Sequence, residues 1–248
     1  MRNGGHVNKL RDQFPIGDNA YYYKNAPLPG FMTVDPVGWG ASLSFLPLQA
    51  PPDAAADRRY DILRDRIRRN ISVFDQPPMS ASPTRAPYDL FLCQLPHDET
   101  IQFHSDVGVP EALSAVVEFC ESQHRRLVVK GHPANPKSMR PLREITEAAR
   151  GALWVDHLSI HDCIASAECV FTVNSGSGME VLLHDRPLVR FGRAEYDSVV
   201  RQASATAESI SETDPRSSTT RERASFLDAY LSRCLEIDDL DSFDRILS

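Results

Sequence analysis

The pair His132-Pro133 follows a short apolar run, Leu127-Val128-Val129, in the middle of the chain. The run favours a buried strand, and the proline fixes the turn while it holds the preceding residue extended. The imidazole of His132 would then lie at the strand end, where it can donate to a phosphate oxygen or act as an acid. The alternative is that the ring only satisfies a loop carbonyl.

A second apolar run, Val170–Val173, ends in the small-residue turn Asn174-Ser175-Gly176-Ser177-Gly178. Glycines let a backbone approach a ligand closely, and two hydroxyls with free N–H groups at a helix start form an anion cradle. The turn is not a Walker loop, because no Gly-Lys-Ser/Thr follows. The same residues are also typical of a helix N-cap. Glu180, in the first turns of that helix, could hydrogen-bond a ribose or complement the helix dipole.

A long polar loop follows the first regular strand and spans residues 94–108. Loops of this kind at the strand ends of a sheet are often functional. The polar residues of interest in it are Gln94, Asp98, His104 and Ser105. Asp98 and His104 are the candidates for acid–base chemistry, with ordinary surface polarity as the alternative explanation.

Composition narrows the kinds of partner and site. The net charge of −7 argues against a broad surface for nucleic acid or anionic membranes. The five cysteines show no CxxC or Cys/His spacing, so we expect buried reduced thiols, no metal and no cofactor. The amino terminus lacks an apolar signal segment, and no apolar run is long enough to span a bilayer. We therefore expect a cytoplasmic protein.

The candidate turns lie between elements that alternate regularly from Tyr88 onward. Five apolar runs predict strands, with helical patterns between them: Leu90–Cys93, Leu127–Val129, Leu153–Val155, Cys169–Val173 and Leu188–Phe191. Such alternation predicts a parallel sheet with right-handed crossovers, and so one Rossmann-like α/β domain. The carboxyl ends of parallel strands share one edge of the sheet, which is where ligands bind in such folds.

Residues 1–87 are less regular. They contain short strand candidates, one of which ends at Asp35, and one clear helix, Asp57–Val73. Asp35 and the glycines after it resemble a strand-end turn facing a cleft, although the residue types alone favour a structural role. The proline-rich residues 77–87 predict a linker.

Beyond Tyr196 the pattern predicts no further strand. A polar stretch rich in Ser, Thr and Glu leads to a final helix, Ser225–Leu235. We therefore divide the chain into an irregular amino-terminal region at 1–87, a Rossmann-like domain at 88–200 and a helical tail at 201–248.

Taken in order, several segments resemble the capsular polysaccharide synthesis family, whose members include GT-B-type Kdo transferases that use CMP-Kdo. The segments are Pro29–Ser44, Gln94–Ile101 with His104-Ser105, Val129–Pro133, Val173–Leu182, His184–Pro187 and Gly192–Asp197. Trp39-Gly40 departs from the pattern, since the family has an asparagine in that context. The resemblance implies a GT-B-like fold in which a Rossmann-type sheet forms the donor domain and residues 1–87 form a shortened acceptor-side part.

The resemblance also implies roles for individual residues. The nucleotide phosphate would be held by His132, Ser175 and Ser177, with Lys130 nearby. The rest of the nucleotide-sugar site would be Asn174, Gly176, Gly178 and Glu180. The cleft toward the sugar and acceptor would be lined by Gln94, Asp98, His104, Ser105 and Asp35, and Asp98 and His104 would be catalytic. No metal would be required, because helix dipoles and protein donors stabilise the departing phosphate.

The leading hypothesis is a metal-independent glycosyltransferase of capsule or surface polysaccharide biosynthesis. Its donor would be a CMP-linked sugar such as Kdo, and its acceptor a glycan or glycolipid. We expect no nucleic-acid partner; peripheral contact with a membrane and the oligomeric state stay open. Two alternatives also stay open. One is a degenerate module that binds a nucleotide or partner without transfer, which the short amino-terminal region favours. The other is a GT-B enzyme that uses a UDP-sugar, for which Glu180 would suit a ribose contact.

Overall fold

The structure is a computed structural model, and it describes residues 2–3, 22–35, 54–216 and 218–238. The strands in these residues are β1 (Arg2–Asn3), β2 (Tyr22–Asn25), β3 (Phe31–Asp35), β4 (Tyr88–Leu92), β5 (Leu127–Lys130), β6 (Ala152–Val155), β7 (Ala167–Thr172), β8 (Leu188–Arg190), β9 (Arg201–Gln202) and β10 (Cys234–Glu236). The α-helices are α1 (Ala54–Arg68), α2 (Glu99–His104), α3 (Val109–Ser122), α4 (Arg140–Ala148), α5 (Ile160–Ala165), α6 (Gly178–Leu183), α7 (Ala207–Glu212) and α8 (Thr220–Leu231).

The larger sheet has six strands in the order β6-β5-β4-β7-β8-β9, and every neighbouring pair is parallel. Numbered along the chain, this is the 3-2-1-4-5-6 order of doubly wound α/β sheets. The strand order reverses between β4 and β7, so the crevice at their carboxyl ends is the position where such a sheet accepts a ligand. The predicted α/β class and parallel sheet are confirmed.

The sheet is covered on both faces, as a parallel sheet requires. Successive residues of one strand point to opposite faces, so Leu90 packs in one apolar cluster and Phe91 in the other. The first cluster includes side chains of α1, α5, α6 and α8, and the second includes side chains of α3, α4 and α7. All five cysteines are free and buried in these clusters or next to the sheet, as the sequence predicted.

The expectation that strands end after Tyr196 is wrong. β9 extends the large sheet beside β8, and β10 pairs antiparallel with β3 in a smaller sheet ordered β1-β2-β3-β10. Helix α8 packs against α1, and a capping box between Thr219 and Glu222 closes its amino end. The carboxy-terminal part therefore returns to the elements that precede β4.

Helix α1 stops at Arg68 rather than Val73, because Asn70 takes a positive φ of 57°. Residues 70–80, which we call the crossing segment, then lie over the amino end of α5. The hydroxyl of Ser159 donates to Oδ1 of Asn70 at 2.6 Å, and the backbone N–H of Ile160 donates to Oε1 of Gln76 at 2.8 Å. These bonds fix a stretch whose end was predicted to be linker.

None of the helices within the described residues has the length and apolar character needed to cross a membrane.

Candidate functional site

The carboxyl ends of β4 and β7 are joined by the side chains of Gln94 and Asn174. Nε2 of Gln94 donates to Oδ1 of Asn174 at 2.9 Å, and Oε1 of Gln94 accepts from the Asn174 backbone N–H at 2.8 Å. Nδ2 of Asn174 donates to the carbonyl of Thr100 at 3.0 Å. Both side chains are buried, and a buried polar network with its bonds formed rigidifies the backbone that carries it.

A cavity of about 410 Å³ opens at this point, and we call it the switch-point cavity. Eight of the residues singled out from the sequence line it: Gln94, Asp98, His104, His132, Asn174, Ser175, Gly176 and Ser177. They come from three separate strand ends, which the parallel sheet brings to one edge. Asn25, the last residue of β2, and the two residues after it, Ala26 and Pro27, also line the cavity.

The ring of His132 is held in one orientation at the end of β5. Nδ1 accepts the backbone N–H of Ala134 at 3.2 Å, which leaves the ring proton on Nε2. Phe74 of the crossing segment contacts the ring edge-on, with 5.0 Å between centroids. Burial lowers the pKa of His132, opposed by the nearby Asp98 carboxylate. The ring is therefore a neutral donor at pH 7, and it bonds a backbone N–H rather than a loop carbonyl.

Lys130 lies beside the switch-point cavity rather than in it. Its side chain lines a smaller cavity of about 170 Å³, which shares Phe74, His132 and Ser177 with the larger one. The ammonium is 3.4 Å from the carbonyl of Asp156, and burial lowers the pKa of Lys130. This places a desolvated cation next to the His132-Pro133 turn, which we call the histidine turn. Such a cation is suited to binding an anionic group.

The turn at residues 174–178, which we call the serine–glycine turn, is held by contacts on both sides. Oγ of Ser175 accepts the backbone N–H of Ser177 at 3.2 Å, and the hydroxyl of Tyr196 donates to the carbonyl of Ser175 at 2.7 Å. A Cβ at Gly178 would lie 2.2 Å from the Tyr196 ring, so only glycine allows this packing. The side chain of Ser177 makes no capping hydrogen bond at the start of α6. This observation does not favour the alternative that Ser177 serves only as a helix N-cap.

Glu180 lies behind the turn and does not line the switch-point cavity. Burial raises the pKa of its carboxyl to about 7, while hydrogen bonds with Ser72 and Ser177 act in the opposite direction. Nε2 of His161 is 3.9 Å from Oε1 of Glu180, and Nδ1 of His161 is 3.1 Å from Nε2 of His184. The ribose contact stays a prediction, and in this structure the carboxyl supports the turn from below.

Asp98 and His104 lie at the two ends of α2, a short helix inside the stretch predicted as loop. Oδ1 of Asp98 caps the helix by accepting the N–H of Thr100 at 2.9 Å. Both residues line the switch-point cavity, so one helix positions both acid–base candidates.

One predicted cleft residue, Ser105, does not line the switch-point cavity. Oγ of Ser105 donates to the carbonyl of Val107 at 2.8 Å and accepts its N–H at 3.1 Å, in a local turn against Gly192. Asp35 ends β3, but its side chain lies outside the part of the chain that the structure describes, as do residues 36–44 of the Pro29–Ser44 segment.

The sequence matches the family described as capsule polysaccharide biosynthesis protein over residues 62–234. The chain belongs to this family. It is also 30% identical over 120 residues to the capsule polysaccharide export protein KpsS of Escherichia coli. That alignment covers 44% of this chain and 31% of KpsS, so the aligned part spans less than a third of the relative.

Two solved structures show the same fold. The beta Kdo 2,7 transferase of Thermosulfurimonas dismutans KpsC superposes with a TM-score of 0.59 at 18% identity, covering 90% of this chain and 73% of that chain. The beta Kdo 2,4 transferase of the same KpsC gives a TM-score of 0.56 at 18% identity, covering 89% and 74%. The predicted family and the GT-B-like α/β fold are both confirmed.

The match to the capsule family spans the whole of the switch-point cavity except the wall at residues 25–27. It also includes Arg193 and Phe74, which line the cavity and received no role from the sequence. Arg193 follows β8, and its guanidinium donates to the carbonyl of Phe103 at 3.3 Å while it stays exposed. The position of Arg193 after a third apolar run was the signal that could have found it.

Within the residues that the structure describes, no group of three His, Cys, Asp or Glu side chains could hold a metal ion.

Proposed function

We propose that this chain is a glycosyltransferase of capsule polysaccharide biosynthesis that binds a nucleotide sugar in the switch-point cavity. The supporting observation is the convergence of Gln94, His132 and the 174–178 turn at the point where the strand order reverses. Membership of the capsule family and a fold shared with two Kdo transferases support the same function.

The phosphate of the donor would lie between the histidine turn and the serine–glycine turn. Nε2 of His132 is an N–H donor there, and Ser177 lines both cavities beside it. Lys130 on one side and Arg193 on the other supply positive charge. Fixed donors and cations stabilise the charge that develops on a departing nucleotide phosphate, so we propose a reaction without metal.

The proposed donor is a CMP-linked acidic sugar such as Kdo, and the proposed acceptor is a glycan or glycolipid. The family resemblance carries the choice of CMP, and the two cations suit a donor with both a phosphate and a carboxylate. Asp98 and His104 face the cavity from α2 and are the proposed acid–base pair. A cytoplasmic location is part of the same proposal.

We further propose that residues 88–200 form the donor-binding domain and residues 1–87 a shortened acceptor side. Elements after residue 200 support both parts, since β9 joins the large sheet and β10 joins the small one.

Nucleotide binding by the purified chain, with EDTA present, tests the donor site. We expect CMP to raise the melting temperature and UDP to raise it less. No shift with CMP or a CMP-sugar at millimolar concentration would contradict the proposal, and a larger shift with UDP would favour the UDP-sugar alternative. Release of CMP from CMP-Kdo with a glycan acceptor then separates a transferase from a module that only binds nucleotide.

A further inference from the structure

A groove of about 1150 Å³ lies beside the His132-Pro133 turn, next to the edge strand β6, and we call it the Trp154 groove. His132 lines both this groove and the switch-point cavity, so the two adjoin at that side chain. The groove lies outside the group of residues to which the sequence assigned a role, His132 excepted.

The indole of Trp154 is held in a fixed place on one wall. Its ring packs so closely on Gly131 that a Cβ there would lie 2.5 Å from a ring carbon. The indole N–H donates to Oδ2 of Asp156 at 3.3 Å, which fixes the second end of the ring. The ring is half-buried and lines the groove. An aromatic ring that stacks on the C–H face of a sugar has to be exposed in this way.

The lining of the groove carries a net positive charge, whereas the chain as a whole is negatively charged. Its lining has three side chains with fixed positive charge, Lys137, Arg140 and Arg143, and one carboxylate, Asp156, although the net charge of the chain is −7. Arg140 and Arg143 pair with glutamates one turn further along α4, but these pairs are exposed and hold the guanidinium groups weakly.

The position of Arg140 is unfavourable for the helix itself. It is the first residue of α4, whose first turn has no acidic side chain, and the helix dipole disfavours a cation at that end. Its exposed pair with Glu144 compensates for this only weakly, and a residue that breaks a local preference in this way is typical of a functional surface. An anionic ligand in the groove would supply the missing negative charge.

The rim of the groove is rich in prolines, which restrict its backbone. It includes Pro96, Pro133, Pro136 and Pro141, and a proline ring fixes one backbone dihedral angle. Binding to a surface that is already ordered costs less conformational entropy than binding to mobile loops.

We propose that the Trp154 groove binds an acidic glycan, with a sugar ring on Trp154 and sugar carboxylates beside Lys137 and Arg140. This inference rests on the proposed function, because the glycan is the acceptor chain whose end reaches the donor at His132. It places part of the acceptor site on the donor-side sheet.

Binding of two hexasaccharides tests the groove without any donor present. The probes are hexagalacturonate, with a carboxylate on every residue, and maltohexaose, which has the same length and no charge. We expect saturable binding of hexagalacturonate by calorimetry at low salt, and at least about tenfold weaker binding of maltohexaose, as the loss of two charge contacts predicts.

Two variants locate the binding. Trp154→Ala should abolish it, and Lys137→Ala with Arg140→Ala should weaken it about tenfold, because each exposed ion pair contributes up to about 1 kcal/mol. Arg126→Ala with Arg150→Ala removes the same charge from exposed positions outside the groove and should change nothing. The charge variants keep the test valid if Trp154→Ala does not fold.

The results separate this inference from the proposed function. Three results would overturn the groove assignment. The first is equal binding of the two hexasaccharides, and the second is equal weakening by the control pair of substitutions. The third is no binding of hexagalacturonate at about 10 mM, which is roughly the weakest affinity that calorimetry resolves. The CMP melting shift of the same samples tests the donor site independently. A protein that binds CMP and fails with hexagalacturonate keeps the proposed function and loses this inference.

Discussion

Gln94 and Asn174 are 80 residues apart in the chain, and the Gln94 side chain makes two hydrogen bonds to Asn174 across the ends of β4 and β7. One bond is to the Asn174 side chain and the other to its backbone N–H. The start of the serine–glycine turn is therefore positioned by the loop that leads into α2, so the two halves of the switch-point cavity are coupled mechanically.

Gln94→Ala should lower both stability and nucleotide affinity. It leaves the buried Asn174 N–H without its acceptor, which costs about 1–3 kcal/mol of unfolding free energy. Urea unfolding measures the first effect, and calorimetry with CMP the second. Gln102→Ala is the matched control, since Gln102 is exposed and its side-chain amide donates to the carbonyl of His97 at the surface. Equal losses in the two variants would show that the bridge has no special role.

Gly178→Ala should destabilise the protein by about 1–3 kcal/mol, as overpacking of a full site does. The new methyl group would lie 2.2 Å from the buried Tyr196 ring, whose hydroxyl holds the carbonyl of Ser175. Gly108→Ala is the control, because its Cβ would meet Pro110 at an ordinary 3.7 Å. We expect the control to lose less than about 1 kcal/mol, the cost of an altered N-cap. Thermal unfolding of both variants decides between steric clash and a general intolerance of alanine.

His132→Ala should weaken CMP binding by about 1.5–3 kcal/mol, the contribution of a hydrogen bond to a charged group. Burial lowers the pKa of His132, so the ring stays neutral above its ordinary value of 6.5 and donates through Nε2. His132→Gln, which keeps an N–H donor, should recover part of the affinity. The exposed His157 provides a control as His157→Ala. Unchanged affinity in His132→Ala would remove this residue from the phosphate site.

Much of the switch-point cavity was predictable because it depends on where strands end. When polar turns follow the carboxyl ends of parallel strands, those turns lie at one edge of the sheet, whatever the details of packing. His132 and Ser175 were found for this reason. Lys130 was also found, but a strand alternates its side chains between faces, and its ammonium enters the adjoining cavity.

Other features depend on long-range contacts that leave little trace in the sequence. β9 has two residues and β10 has three, and each exists only because another strand lies beside it. Phe74 lies in a stretch without regular structure, and it reaches His132 because the crossing segment is bound to α5. Ser105 carried the right chemistry, but a local turn uses its hydroxyl.

Glu180 offers a prediction about pH. Burial raises the pKa of its carboxyl from 4.5 to about 7, so the folded protein binds this proton more tightly than the unfolded chain does. The resulting stabilisation is complete below about pH 4.5 and is lost as the pH rises through about 7. A shift of this size corresponds to roughly 3 kcal/mol of unfolding free energy.

Glu180→Gln should remove this dependence, because the amide keeps the shape and has no proton to lose. We expect the stability of the variant relative to wild type to rise by up to roughly 3 kcal/mol between pH 5 and pH 8, measured by urea unfolding at several pH values. Burial lowers the pKa of His161 and His184, so their contributions run the other way, with stability lost as the pH falls through 6.5. Both histidines are present in both proteins, so taking the difference removes the part of their effect that does not depend on the charge of Glu180. A difference that stays constant with pH would mean that Glu180 is already ionised in the folded state over this pH range.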